Sequence, residues 1–317
     1  MKQLELNNRK VAVIGCGFVG ATSAFGLMQS GLFSEMVLID ANTEKAEGEA
    51  MDISHGIPFA RPMKIYAGGY DDIMDAAIIV VTAGANQKPG ETRLDLVQKN
   101  VGIFKSIIPE IAKRDYQGIL LIVSNPVDIL TYTAHKLSGM PENRVIGSGT
   151  VLDTARLKYE LGEHLGVDSR SVHAFIIGEH GDSEIAAWSS ANVSGIPLNT
   201  FCEMRGHFNH DDSMERIAAN VRNSAYEIIA KKNATYYGIA MAVVRICSAI
   251  VRDEQSIMPV SSLMTGEYGI QDVVLSIPSV VDANGIETVV PIELSDQELE
   301  ALRNSAAVLK QMIQENC

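Results

Sequence analysis

The chain has 317 residues, 46% of them hydrophobic and 21% charged, which is typical of a globular protein long enough for about two domains. Its formal net charge of −13 argues against a surface built to bind nucleic acid or an anionic membrane. No stretch has the roughly 18 uninterrupted apolar residues of a membrane helix, and residues 1–8 do not resemble a secretion signal, so we expect a cytoplasmic protein.

Short apolar runs alternate with helical stretches through the first half of the chain. The runs that we predict as strands are residues 11–14, 36–39, 65–67, 77–82, 119–123 and 145–147. This rhythm predicts an α/β fold, in which helices cover a doubly wound parallel sheet and ligands bind at the carboxyl ends of its strands. We place a domain boundary near Thr150, after a first domain of residues 1–149.

The first predicted strand runs directly into a Gly-x-Gly-x-x-Gly motif that extends from Gly15 to Gly20. In a βαβ unit, Gly15 permits a tight turn, Gly17 lets the backbone approach a pyrophosphate, and Gly20 lets helix and strand touch. The second strand ends in Asp40, about 20 residues beyond the glycines, where an acid binds a ribose 2′-hydroxyl and would repel a 2′-phosphate. The motif therefore predicts NAD rather than NADP as the cofactor.

Residues 150–317 predict an α+β domain. A helix that starts around Asp153 is followed by strands within residues 171–177 and 186–193, and then by helices near residues 213–232 and 235–252. Residues 258–264, 272–281 and 285–294 have the pattern of antiparallel strands, with residues 282–285 as a hairpin turn. The last helix follows Ser295, which forms a predicted capping box with Glu298.

Two polar motifs of the second domain are candidates for catalysis. One is Gly178-Glu179-His180-Gly181-Asp182, and the other is Asp153-Thr154-Ala155-Arg156. An imidazole near a buried carboxylate can pass a proton near neutral pH, and an arginine can hold a substrate carboxylate. A lone histidine is more often structural, but the cofactor motif favours a catalytic role here.

The cysteines do not predict a disulfide framework, because they are scattered without paired spacing. They are Cys16, Cys202, Cys247 and Cys317. Cys202, His207 and His210 lie near Asp211 and Asp212, but this segment lacks the spacing of a built metal site, so we expect no metal there.

Five motifs, in register along the chain, together resemble the L-lactate/L-malate dehydrogenase family. They are the glycine motif with Asp40, and residues 86–93, 124–128, 152–156 and 178–182. The resemblance extends from about Lys10 to the last helix. It implies an N-terminal Rossmann domain that binds NAD, a C-terminal α+β substrate domain, and reversible reduction of pyruvate to L-lactate, the last step of fermentative glycolysis.

The resemblance also implies roles for individual residues. His180 would donate a proton to the pyruvate carbonyl oxygen, and Asp153 would pair with the other ring nitrogen. Arg156 would hold the substrate carboxylate with two parallel hydrogen bonds, which lysine cannot reproduce. Arg93 matches the arginine of a lid, which would close over the substrate and polarise its carbonyl group.

Further contacts with substrate and cofactor follow from the same resemblance. Asn125, in an Asn-Pro bond that is often cis in this family, would bind the reacting oxygen or the nicotinamide side. Thr235 would line the substrate pocket, and Ile239 would pack on the nicotinamide. The remaining positions that match cofactor contacts are Val19, Lys45, Tyr70, Gly84, Ala85, Val123, Ser124 and Ser148.

Gln87 distinguishes between substrates within the family. Members that use oxaloacetate carry arginine at this position, whereas Gln87 is neutral and would leave the second carboxylate of oxaloacetate buried without a partner. Pyruvate and L-lactate are therefore favoured over malate, and larger 2-oxo acids stay open. Two interpretations from other classes are an NAD-dependent glycosidase, which would need a metal bound by cysteine and histidine, and a non-catalytic NAD-binding protein.

The resemblance finally implies a homotetramer and, as in many bacterial members, activation by fructose 1,6-bisphosphate bound between subunits. The matching effector positions are Lys158 and His173. Lys158 replaces the arginine that is usual there, so we expect weaker phosphate binding, because lysine keeps the charge but not the bidentate grip.

Overall fold

Parallel strands form the centre of the fold. The computed structural model describes residues 6–85 and 93–316, and of Arg93 only the backbone. The strands are β1 (Asn7–Ile14), β2 (Glu35–Ile39), β3 (Lys64–Ala67), β4 (Ala76–Val81), β5 (Ile119–Ile122) and β6 (Val145–Gly147). Their spatial order is β3-β2-β1-β4-β5-β6. A ligand crevice is expected where this order reverses, beside β1 and β4, at the carboxyl ends of the strands. The prediction of a doubly wound parallel sheet is confirmed.

Helices cover the two faces of this sheet. They are α1 (Phe18–Ser30), α2 (Thr43–His55), α3 (Arg93–Ala112) and α4 (Val127–Ser138). Alternate residues of β1 belong to different apolar clusters: Val11 and Val13 pack with α1 and α2, whereas Ala12 and Ile14 pack with α3 and α4. Because both faces are buried, the strands are continuously apolar rather than alternating.

The second half adds helices, short strand pairs and a long antiparallel hairpin. Its helices are α5 (Val151–Leu165), α6 (Leu198–Met204), α7 (His210–Lys232), α8 (Tyr237–Val251) and α9 (Asp296–Asn316). Its strands are β7 (Val172–His173), β8 (Ile176–Ile177), β9 (Ile185–Ala186), β10 (Asn192–Val193), β11 (Ile196–Pro197), β12 (Ser256–Thr265), β13 (Gln271–Asp282) and β14 (Gly285–Val289). None of the described helices is both long and apolar enough to cross a membrane.

The antiparallel strands continue the parallel sheet. β12 pairs with β6 where Ser261 lies opposite Gly147, and β13 and β14 follow outward. A Cβ atom on Gly147 would lie 2.6 Å from the Cβ of Ser261, so glycine permits this close approach. The hairpin at Asp282–Gly285 is confirmed by the pairing of these two residues.

Strands are present in both segments predicted for them, residues 171–177 and 186–193, but each segment is interrupted and forms two short strands. β7 pairs with β10, whereas β8 pairs with β9 in a separate sheet. The chain thus leaves one sheet after β7 and enters the other at β8. At the start of β8, Thr154 of α5 accepts a hydrogen bond from the Ile176 amide, and Thr150 donates one to the Ile176 carbonyl.

Other boundaries also differ from the predictions. α5 begins at Val151, two residues before the predicted start at Asp153. α8 begins at Tyr237, which leaves Thr235 in the preceding connection. β14 ends at Val289 and not at Leu294, because Pro291 has no N–H group to continue a strand ladder. The capping box of α9 is confirmed, since Ser295 and Glu298 bind each other's backbone N–H groups at 2.8 and 3.3 Å.

Candidate active site

The glycine motif forms a tight loop between β1 and α1. Gly15 has φ +100°, and a Cβ atom there would lie 2.5 Å from the backbone nitrogen of Ala83. A Cβ atom on Gly20 would overlap the carbonyl oxygen of Gly15, whereas a Cβ atom on Gly17 would meet nothing within 4 Å. The N-terminus of α1 has no side-chain cap, so its first N–H groups can bind an anion in the open space beside Gly17. This geometry fits a cofactor pyrophosphate.

Asp40 lies beside this loop at the end of β2. Its carboxylate accepts a hydrogen bond from the Cys16 amide at 2.6 Å and one from the Asn42 amide at 2.9 Å. Asn42 caps α2 by accepting a hydrogen bond from the Lys45 amide, and the Lys45 side chain is exposed at this end of the helix. The carboxylate and the lysine are thus at the carboxyl edge of the sheet, next to the glycine loop.

Asn100 joins two segments that carry predicted cofactor contacts. Its side chain accepts a hydrogen bond from the Ala85 amide and donates one to the Asn125 carbonyl, each 2.7 Å long. Gly84 lies against the same side chain. Asn100 was not predicted, although a buried polar residue on the apolar face of α3 is a signal that could have found it.

The peptide bond between Asn125 and Pro126 is cis, as in the family pattern. The hydroxyl of Ser124 donates to the Ala83 carbonyl at 2.7 Å, which ties the end of β5 to the end of β4. Val123 and Ser148, which follow β5 and β6, are buried beside them. These predicted positions therefore lie together at the carboxyl ends of neighbouring strands.

The start of α8 lies against the glycine loop. The rings of Phe18 and Tyr236 stack with their centroids 5.4 Å apart, which brings the neighbouring Thr235 to this region. Val19 and Ile239 are partly buried and pack against the apolar cluster that contains Val11 and Val13. The predicted contacts Thr235, Val19 and Ile239 therefore lie where the start of α8 packs against α1.

Tyr70 lies in a different environment. It begins a short 3₁₀ helix, Tyr70–Ile73, and its ring packs against the core beneath the guanidinium group of Arg114, 5.6 Å from the ring centroid. The described contacts of Tyr70 do not include Asp40 or the glycine loop. Its role as a cofactor contact stays a prediction.

His180, Asp153 and Arg156 form a connected group. The Nδ1 atom of His180 lies 2.5 Å from one oxygen of Asp153, and Arg156 donates to the other oxygen at 2.7 Å. The Asp153 side chain is only 2% exposed, whereas that of His180 is 24% exposed. Since Nδ1 is bound to the carboxylate, Nε2 is the ring atom that can exchange a proton with a ligand.

The loop that carries His180 is held by surrounding elements. Thr154 of α5 and Thr150, the residue before this helix, bind the backbone of Ile176, just before the loop. Gly178 and Ser276 of β13 exchange two backbone hydrogen bonds, each 2.9 Å long. Gly178 has φ +89°, which favours glycine at this bend. The loop is therefore fixed relative to the start of α5, which holds Asp153.

The charges around His180 favour its protonated form. Burial alone disfavours the imidazolium, but attraction by Asp153, with smaller contributions from Asp128 and Glu184, outweighs burial and raises the pKa of His180 to about 9. Burial would also raise the pKa of Asp153, yet His180 and Arg156 lower it. The pair therefore favours an imidazolium beside a carboxylate at neutral pH.

Glu184 is a buried carboxyl that was not predicted. It is 8% exposed, and burial together with the charge of Asp153 raises its pKa to about 8. One of its oxygens is buried without a hydrogen-bond partner among the described residues. Its position four residues after His180 is the sequence signal that could have found it.

Two predicted site residues lie partly or wholly outside the described part of the chain. Gln87 is outside it. Arg93 is the first residue of α3, but its side chain is not described. Their assigned roles stay predictions.

The predicted effector residues lie on neighbouring elements, since α5 packs against β7. Lys158 is half-buried in α5, and this burial lowers the pKa of its ammonium group. His173 is exposed on β7. Their binding of an effector stays a prediction.

The cysteine and histidines around Cys202, which were considered as metal ligands, contact other side chains of the protein. Cys202 is buried, the ring centroids of His207 and His164 lie 4.2 Å apart with the rings tilted by 38°, and the His210 ring lies 3.3 Å from the Glu203 carboxylate. In the ranges 6–85 and 93–316, no group of three or more His, Cys, Asp or Glu side chains could hold a metal ion.

The fold and the site together define an NAD-dependent dehydrogenase of two-domain type. Residues 9–147 match the lactate/malate dehydrogenase NAD-binding domain, and residues 150–317 match the lactate/malate dehydrogenase α/β C-terminal domain. The chain belongs to the lactate/malate dehydrogenase family. The resemblance inferred from the five motifs is confirmed.

Similar proteins in this family are lactate dehydrogenases. The L-lactate dehydrogenase of Acetivibrio thermocellus is 56% identical over 305 residues, which are 96% of each chain. That of Thermoanaerobacter sp. strain X514 is 55% identical over 306 residues, 96% of this chain and 98% of the relative. The crystal structure of the minor L-lactate dehydrogenase from Enterococcus mundtii, in its ligands-bound form, has a TM-score of 0.94 at 44% identity and covers 97% of this chain and 98% of that one.

Proposed function

We propose that this protein is an L-lactate dehydrogenase that interconverts pyruvate and L-lactate with NADH and NAD. The observation that carries the proposal is the group formed by His180, Asp153 and Arg156 at the carboxyl edge of a sheet whose glycine loop fits a dinucleotide. Residues 1–149 bind the cofactor, and residues 150–317 complete the substrate site. The similarity to L-lactate dehydrogenases over nearly the whole chain supports this assignment.

Each residue of the group has a separate task in the proposed reaction. When bound, NADH supplies the hydride that reduces the carbonyl carbon of pyruvate. The Nε2 atom of protonated His180 donates its proton to the carbonyl oxygen, and Asp153 keeps the proton on Nδ1 and stabilises the imidazolium. Arg156 binds the substrate carboxylate, and its hydrogen bond to Asp153 orients the guanidinium.

The charge balance of the site supports a substrate with one carboxylate. At neutral pH the cations His180 and Arg156 face Asp153, so a single substrate carboxylate finds a partner in Arg156. A second carboxylate would need another cation, and Gln87 does not supply one. Arg93 and Asn125 are assigned to the reacting carbonyl group, and Thr235 to the pocket wall.

The purified protein should oxidise NADH with pyruvate far faster than with oxaloacetate, and should prefer NADH to NADPH. Gln87→Arg should shift the ratio of kcat/KM values toward oxaloacetate by at least about tenfold, because it supplies the missing counter-charge. Steady-state rates with a panel of 2-oxo acids measure this. Gln87→Met, which is neutral and of similar length, should keep the preference for pyruvate. Equal rates with pyruvate and oxaloacetate in the unaltered protein would contradict the assignment.

We also propose a cytoplasmic homotetramer that responds weakly to fructose 1,6-bisphosphate. Large apolar side chains exposed along α2 and just beyond it, such as Met51 at 62% and Phe59 at 94%, support association with further subunits. Lys158 is half-buried, and this burial lowers the pKa of its ammonium group, so a bound phosphate would compensate for the buried charge.

Fructose 1,6-bisphosphate should lower the apparent KM for pyruvate. The effect should be largely lost in a Lys158→Ala/His173→Ala double variant, and stronger in Lys158→Arg, because arginine can bind phosphate with two parallel hydrogen bonds. Pyruvate saturation curves at low enzyme concentration and neutral pH measure the shift. A curve that millimolar effector does not move, in both the unaltered protein and Lys158→Arg, would reject this proposal.

A further inference from the structure

We propose that Asp128 is a positioning residue for His180, which holds the backbone of the histidine while Asp153 holds its ring. The inference rests on the proposed function, in which His180 is the proton donor. Asp128 is not among the residues that contact substrate or cofactor in that proposal. Its effect is exerted through His180, both by fixing the loop and by placing a second negative charge behind the imidazolium.

The contacts of Asp128 connect three separate elements. One carboxylate oxygen accepts a hydrogen bond from the backbone amide of His180 at 2.8 Å, and the other accepts one from the Ser261 hydroxyl at 2.5 Å. Asp128 is the second residue of α4 and is 2% exposed, and it lies two residues after Pro126, whose peptide bond to Asn125 is cis. The carboxylate therefore links the start of α4 to strand β12 and to the catalytic loop.

These two hydrogen bonds do not by themselves require a charged side chain at position 128. A neutral asparagine could accept from the His180 amide and donate to Ser261, and it would avoid the cost of burying a carboxylate. Burial raises the pKa of Asp128 to about 6, against the effect of the hydrogen bonds from Ser261 and His180. The group is therefore ionised at the pH where His180 titrates, near 9, and its charge stabilises the imidazolium there.

Other charged groups also act on this histidine and must be kept constant in a test. Asp153 is the strongest of them because it contacts the ring. The charged groups on the surrounding elements are Asp153 and Arg156 on α5, Asp128 on α4, Arg222 on α7, and Glu179, Asp182 and Glu184 on the loop itself. Of these, Asp128 is the one bound to the backbone of His180.

Asp128→Asn tests the inference because it keeps the shape and removes the charge. The titration midpoint of His180 should fall by about one pH unit, since nearby opposite charges shift a pKa by about one to three. The kcat/KM for pyruvate falls at high pH, and this fall should move to lower pH by the same amount. At a fixed pH above the normal midpoint, the kcat/KM of the variant should therefore be about tenfold lower than that of the unaltered protein. The Kd for NADH should not change. NMR of the imidazole signals, assigned with a His180→Gln variant, and pH–rate profiles measure both effects.

Two controls separate the charge from a merely structural role. Ser261→Ala removes a hydrogen bond to Asp128 and keeps the charge, so the His180 midpoint should stay. Glu298→Gln removes another buried carboxyl that accepts two backbone N–H groups, at the start of α9, and should also leave the midpoint unchanged. A lower rate in Asp128→Asn with an unmoved His180 midpoint would overturn the inference.

The NMR measurement does not depend on activity. If the unaltered protein did not reduce pyruvate, the proposed function would fail, while the His180 midpoint of Asp128→Asn would still decide the inference. If Asp128→Asn did not fold, the unaltered protein would carry the test: titration of Asp128 near pH 6 should appear as a separate inflection in the His180 signals. A His180 titration without this inflection would then overturn the inference.

Discussion

Replacing His180 with alanine should lower kcat for pyruvate reduction by about 10²- to 10⁴-fold, the range typical of general acid catalysis. The Kd for NADH should stay nearly unchanged, because the glycine loop and Asp40 do not depend on the imidazole. Steady-state kinetics and fluorescence titration with NADH measure the two quantities. His55→Ala, which removes an exposed histidine at the end of α2, is a matched control and should have nearly normal activity. A His180→Ala variant with more than a tenth of the normal kcat would contradict the assignment.

The pH dependence of the unaltered protein should have opposite signs in the two directions. The pKa of His180 is raised to about 9, so the protonated form that reduces pyruvate dominates below that pH and is lost as pH rises through it. The kcat/KM for pyruvate should therefore fall at high pH. L-lactate oxidation requires the neutral ring, so its kcat/KM should rise with pH and level off above about 9. Equal responses in both directions would exclude His180 as the proton donor.

Gly20→Ala should destabilise the fold, whereas Gly17→Ala should mainly weaken cofactor binding. A Cβ atom on Gly20 would overlap the Gly15 carbonyl oxygen, so helix and loop must move apart at a cost of about 1–3 kcal/mol or more. A Cβ atom on Gly17 meets no protein atom within 4 Å and instead occupies the space beside the N-terminus of α1. Calorimetric Tm values and NADH titrations should therefore separate the two variants.

The comparison of the two glycine variants is informative because each is the control for the other. Gly17→Ala should keep the normal Tm and raise the Kd for NADH by on the order of tenfold or more, since the backbone can no longer approach the pyrophosphate. Gly20→Ala should lower the Tm even without cofactor. If Gly17→Ala bound NADH normally, the pyrophosphate would not lie where the loop geometry indicates.

The sequence by itself determined the features that depend on neighbours along the chain. The tight turn at Gly15, the uncapped start of α1 and the acid at Asp40 follow from local spacing, and the structure has all three at one edge of the sheet. The continuous apolar runs predicted buried parallel strands, because a strand covered on both faces has no polar side. Pro291 was also a local signal, and it would have given the correct end of β14.

Tertiary structure alone decided the features that join distant residues. Asp153 lies 27 residues from His180, Asp128 lies 52 residues from it, and Asn100 reaches Asn125 from another helix. The sequence pattern of residues 258–264 and 272–281 predicted antiparallel strands, but not that β12 and β13 extend the parallel sheet through Gly147 and Ser261. Periodicity shows that a strand or a buried face exists, but not its partner. The partner is chosen by long-range packing and by the need of each buried polar group, such as the Asp128 carboxylate, for a hydrogen bond.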